Sequence, residues 1–187
     1  MNTIKAFAIV TLAGMWVATS QAQDAEPESK AEVKREEIDT TAKETLDTLF
    51  EEYPASKELF DKSYGYAVFD NFKLALLIAS ERGRGVAVQK SSGDRIYMRM
   101  GSLGVNVGLG GQKMQVVFLF EDEKTFNRFV NKGWKADAGA DAAAGTQGAS
   151  ADLKFVRGMA TFQFTEKGLM AQANRSGTKY WKDKKLN

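Results

Sequence analysis

Between Arg84 and Phe120 the sequence is a series of short apolar alternations punctuated by glycine. It reads Val86-Ala87-Val88, the turn Ser91-Ser92-Gly93-Asp94, Ile96-Tyr97-Met98, the run Gly101 to Gly111, then Val116 to Phe120. Apolar residues two apart between turn formers predict adjoining antiparallel strands. Glycine inside a strand gives up a packing side chain, and marks tight curvature or the close approach of another backbone. The stretch therefore predicts a curved sheet acting as a scaffold for binding, not a catalytic centre.

Helical periodicity is confined to two other regions. From Lys30 to Tyr53, Ile38, Ala42, Leu46, Leu49, Phe50 and Tyr53 recur at three- and four-residue steps, and Pro54 stops the helix. Ser56 is the expected cap of a short second helix through Phe60 and Lys62. Asp122 is the expected cap of a helix carrying Phe126, Phe129 and Val130 and closing near Gly133. Tyr64 to Phe69 reads as the first strand, while Lys73 to Ser80 fits a buried strand or a helix turn equally well. Ala136 to Ala151, rich in alanine and glycine, reads as a surface loop or as a tightly packed strand pair. Gly158 to Phe164, a turn at Glu166-Lys167-Gly168, Leu169 to Ala173 and Tyr180-Trp181 predict a hairpin followed by a basic tail. The expected fold is α+β: a curved antiparallel sheet, open or barrel-like, with N-terminal helices and one inserted helix. Alternation places Phe69, Val86, Val88, Val105, Val107, Val117, Leu119, Phe126, Phe129 and Phe162 in its core.

The first 22 residues have the form of a secretory signal. Lys5 precedes an apolar run from Ala6 to Ala18, and Ser20-Gln21-Ala22 supplies the small residues of a cleavage site. At ~1.5 Å per residue the run reaches only about 20 Å, short of a ~30 Å hydrocarbon core. Residues 23–29 are expected to be disordered and 30–187 to form one domain, located in the periplasm or secreted.

Cysteine and histidine are both absent from the sequence. That removes disulfides, thiol nucleophiles, His-based triads and the usual tetrahedral zinc ligands. The acidic residues beyond Tyr64 are scattered and form no calcium loop, so the sequence points to no catalytic residue, metal or cofactor. The glycines at 83, 85, 108, 110 and 111 superficially suggest a nucleotide loop, but such a loop must open a helix, and here it leads into a strand.

Charge is segregated. Residues 23–62 hold 13 acidic and 6 basic side chains, whereas residues 63–187 hold 11 acidic and 19 basic. Either the acidic helix packs on the basic sheet, or the basic body meets an anionic surface.

Gly65-Tyr66-Ala67-Val68-Phe69, Arg82-Gly83-Arg84-Gly85-Val86-Ala87 and Gly101 to Gly111 leading into Val116 to Phe120 together resemble the SYLF domain family. Phe126, Phe129, Gly133-Trp134 and Thr165-Glu166-Lys167-Gly168-Leu169 follow in the same order, so the resemblance spans about Leu46 to Lys179. It implies binding to anionic lipid head groups. Asp70 stands where the family pattern commonly has proline, Ala75 where glycine is common, and the N-terminal helix is acidic where eukaryotic members carry a basic one.

The expected function is that of an exported protein engaging anionic phospholipid through a basic surface. Candidate contacts are Lys73, Arg82, Arg84, Lys182, Lys184 and Lys185. The alternative is a non-catalytic module that pairs a sheet edge with an envelope protein. No nucleic-acid motif is present.

Overall fold

The computed structural model describes residues 29–75, 78–105, 110–136, 153–165, 168–169 and 178–187. For 71–75, 78–81, 103–105, 110–113, 135–136, 164–165 and 168–169 it describes the backbone. Three helices, α1 (Lys30–Glu52), α2 (Ala55–Lys62) and α3 (Glu123–Lys132), surround a curled antiparallel sheet. Its strands are β1 (Gly65–Ala75), β2 (Ile78–Gln89), β3 (Arg95–Val105), β4 (Gly110–Phe120), β5 (Trp134–Ala136), β6 (Met159–Thr165), β7 (Gly168–Leu169) and β8 (Thr178–Lys182). They lie in the order β5-β8-β3-β2-β1-β4-β6-β7. The α+β class and the curvature are as the glycine-punctuated pattern predicts.

The helix ends follow local chemistry. Ser29 and Glu32 close a reciprocal capping box at the start of α1, with Ser29 N–H donating to Glu32 Oε2 at 2.7 Å. Asp122 caps α3 by accepting the Thr125 N–H at 2.8 Å, and Gly133, at φ +71°, ends it. Ser56 behaves differently from the expectation. Pro54 takes the cap position of α2, and the Ser56 hydroxyl instead donates back to the Tyr53 carbonyl at 2.6 Å. Proline is already at a helical φ and has no N–H to satisfy, so it starts the helix unaided.

Two connections correct the sequence-based picture. β2 and β3 form the expected hairpin, but β4 does not continue beside β3. It crosses to the far side of β1, pairing Val68 with Val117. The expected hairpin is present where it is described, β6 pairing β7 through Phe164–Leu169 and Thr165–Gly168, but the basic tail beyond it carries a further strand. β8 joins the opposite side of the sheet, between β3 and β5. Local alternation defines strands without naming their partners, which is why both crossings escaped the pattern. The ambiguous segment 73–80 belongs to the sheet where it is described, ending β1 and beginning β2. Val107 lies outside the described residues, as do the turn at 174–177 and, apart from Ala136 at the end of β5, the segment Ala136 to Ala151.

The sheet is buried on both faces. On one, Ile38, Ala42, Leu46 and Leu49 of α1 cover Val68, Val86, Val117, Leu119 and Phe162. On the other, Phe126, Phe129 and Val130 of α3 cover Ala67, Phe69, Phe118, Phe120 and Tyr180. Of the core residues expected, those with described side chains (Phe69, Val86, Val88, Val117, Leu119, Phe126, Phe129 and Phe162) are buried. Gly85 makes the second face possible. A Cβ there would lie 2.1 Å from the Val68 carbonyl oxygen and 2.6 Å from the Phe69 ring, so the absent side chain is what lets Phe69 lie across β2.

Candidate functional site

Where α1 leaves the sheet uncovered, β2, β3 and β8 present a cationic strip. Side chains directly opposite in an antiparallel pair share a face. The register therefore aligns Trp181, Arg99, Arg84 and Asp70 in one row across β8, β3, β2 and β1. Arg82 and Lys179 flank Gly101 in the next row. The parity that places Val86 and Val88 under α1 continues through Arg84 and Arg82, so the strip lies on the α1 face.

Asp183 organises the strip. Its carboxylate is buried, and Oδ2 lies 3.9 Å from Arg84 Nε and 3.8 Å from Arg99 Nε. Oδ1 accepts the Lys185 N–H at 3.0 Å, so the carboxylate is fixed from its own turn. Both arginines are about half exposed and too far from the carboxylate for a tight fork. One carboxylate between two guanidiniums neutralises half their charge and leaves N–H donors turned to solvent. With Arg82 and Lys179 exposed beside them, the strip carries a net positive charge even after Asp70 and Asp183 are counted. Trp181, 41% exposed at the end of the row, adds a large amphipathic ring.

The segment carrying Asp183 is tied down around β3. Asp183 N–H donates to the Tyr97 carbonyl at 2.9 Å. The Asn187 carboxamide accepts the Tyr97 N–H at 3.0 Å and donates to the Tyr97 carbonyl at 2.8 Å, imitating a strand neighbour. Arg35 of α1 donates to the Leu186 carbonyl at 2.9 Å.

The six residues singled out from sequence separate in space. Arg82 and Arg84 sit together in the strip. Lys182 does not: it faces the α3 side, where its Nζ donates to Asn131 Oδ1 at 2.9 Å. Lys184 and Lys185 are exposed on the turn after β8. Lys73 lies on β1, where the backbone alone is described. Arg99, Lys179, Trp181 and Asp183 are not among the contacts the sequence singles out. Alternation through Lys179-Tyr180-Trp181-Lys182 already separates Lys179 and Trp181 from Lys182, but only pairing with β3 shows which pair joins the arginines.

Among the described residues no group of histidine, cysteine, aspartate or glutamate side chains is placed to hold a metal ion. Nor is any described helix long and apolar enough to cross a membrane. The strip offers planar, permanently charged donors suited to phosphate or carboxylate oxygens.

No family model matches the chain. The chain is similar to Beta cell expansion factor A of Aeromonas veronii, with 46% identity over 149 residues. The alignment takes in 80% of this chain and 57% of that protein, so the chain spans little more than half the length of its relative.

Proposed function

We propose that the protein is an exported, non-catalytic lipid-binding protein of SYLF type, which engages anionic phospholipid surfaces through the strip on β2, β3 and β8. The observation that carries this reading is the row Trp181–Arg99–Arg84, with Arg82 and Lys179 beside it. Guanidiniums bind phosphate oxygens in a bidentate manner. A tryptophan at the rim suits the head-group level of a bilayer, where one side of the ring is wet and the other apolar. The apparent signal at residues 1–22 supports export to the periplasm or beyond.

Flotation with vesicles of phosphatidylglycerol mixed with phosphatidylcholine tests this reading. The protein should float with them at low salt and be released as salt rises, because the Debye length shrinks from ~10 Å at 0.1 M to ~3 Å at 1 M. Arg82→Gln with Lys179→Gln should weaken flotation by about tenfold or more, since each cation at an anionic surface contributes ~1 kcal/mol. Replacing Lys184 and Lys185, which lie off the strip, should have a smaller effect. Equal retention on purely neutral vesicles at every salt concentration would reject the mechanism. Absence of all vesicle binding would transfer the assignment to an envelope protein partner.

A further inference from the structure

A second cationic surface lies on the opposite side of the sheet. Lys124, Arg128 and Lys132 follow one another at four-residue steps along α3 and are exposed, while Phe126, Phe129 and Val130 of the same helix are buried against the sheet. Spacing by four places the three cations on one outward stripe. Lys182 reaches the same surface through Asn131. The acidic residues of this region, Glu121, Asp122 and Glu123, are gathered at the start of the helix. Asp122 is engaged as its cap, and Glu123 accepts from the Asn127 amide at 3.2 Å. Among the described residues no acidic side chain pairs with Lys124, Arg128 or Lys132.

The stripe and the arginine strip point away from each other. A sheet with a helix packed on it is about 10 Å thick per layer, whereas the Debye length at 0.15 M salt is ~8 Å. A bilayer seated against the strip therefore exerts almost no attraction on the α3 cations, which stay free for another anionic surface. We propose that α3 and Lys182 form a second contact for an anionic phospholipid bilayer, so that one molecule bridges two bilayers. This rests on the lipid-binding reading above, with charge complementarity identifying the partner.

Clustering of vesicles made of phosphatidylglycerol and phosphatidylcholine, followed by turbidity, tests bridging. Binding to a single supported bilayer of the same composition, measured in parallel, tests lipid binding alone. The unaltered protein should cluster the vesicles. Lys124→Gln with Arg128→Gln and Lys132→Gln should raise the protein concentration needed for clustering by about 100-fold, about fivefold per cation, while supported-bilayer binding, which the arginine strip still provides, persists. Arg82→Gln with Lys179→Gln, which leaves both partners of Asp183 in place, should likewise lose clustering, while supported-bilayer binding weakens by about tenfold or more and is not abolished, since the α3 contact remains. Supported-bilayer binding without clustering would overturn the second contact and leave the first standing. Clustering that survives the α3 substitutions would also overturn it, since a second molecule would then be supplying the bridge. Failure to bind either preparation would remove the lipid reading and this inference together.

Discussion

Tyr97 on β3 donates its phenolic hydrogen to Asp39 on α1 across 2.9 Å, joining the acidic helix to the basic sheet at a partly buried point. Burial, followed by the Asp39 carboxylate, pushes the Tyr97 hydroxyl up to about 12 from its ordinary 10.0. The folded state thus favours the protonated phenol. Its contribution is complete below pH 10 and is lost as pH rises towards 12. The thermal midpoint should accordingly fall across that interval, together with phenolate absorbance that appears late. Tyr97→Phe should flatten the fall and lower stability at neutral pH by about 1–2 kcal/mol, because Asp39 loses a donor.

Leu119→Ala should be among the costliest substitutions. Leu119 is fully buried on β4 beneath α1, and truncating such a leucine removes about 2–5 kcal/mol. A denaturant titration with unchanged slope and a lower midpoint is the expected result.

Gly85→Ala should destabilise although it adds a single methyl group. The methyl would meet a backbone carbonyl that has no room to retreat, and Phe69 would have to leave its place against Tyr180. The expected loss is at least about 1–3 kcal/mol by equilibrium unfolding. A second change, Phe69→Leu, should recover part of it.

Asp183→Asn should move two properties in opposite directions. Removing the negative charge between Arg84 and Arg99 weakens stability by only about 1 kcal/mol, because both arginines are half exposed and sit beyond tight hydrogen-bond distance of it. On the lipid-binding proposal the same change frees both guanidiniums and should strengthen flotation with phosphatidylglycerol vesicles. Weaker flotation with intact folding would argue against the strip as the contact.

Much of the architecture was legible because it is encoded locally. The cap at Asp122 and the close at Gly133, the stop at Pro54 and the alternation through Val86–Val88 and Val116–Phe120 each act within a few residues. Strand partnership was not legible, since β1 pairs β4 and β3 pairs β8 over long separations that periodicity does not record. The candidate site suffered from the same blindness. Arg82 and Arg84 stood out as neighbours in sequence, but Arg99 and Trp181 join them only through register. Lys182, one residue from Trp181, faces the other way for the same reason.

The pairing of β8 with β3 has a consequence for how the chain acquires its structure. Arg99 and Trp181 are more than eighty positions apart, so the β3 edge has no native neighbour until residues 178–187 have been synthesised and have found it. Until then the Tyr97 peptide groups, later held by Asn187 and Asp183, are an open template for a wrong strand. Early arrival of the β1–β2 hairpin cannot shorten that interval. Docking of residues 178–187 on β3 is thus expected to come late in folding.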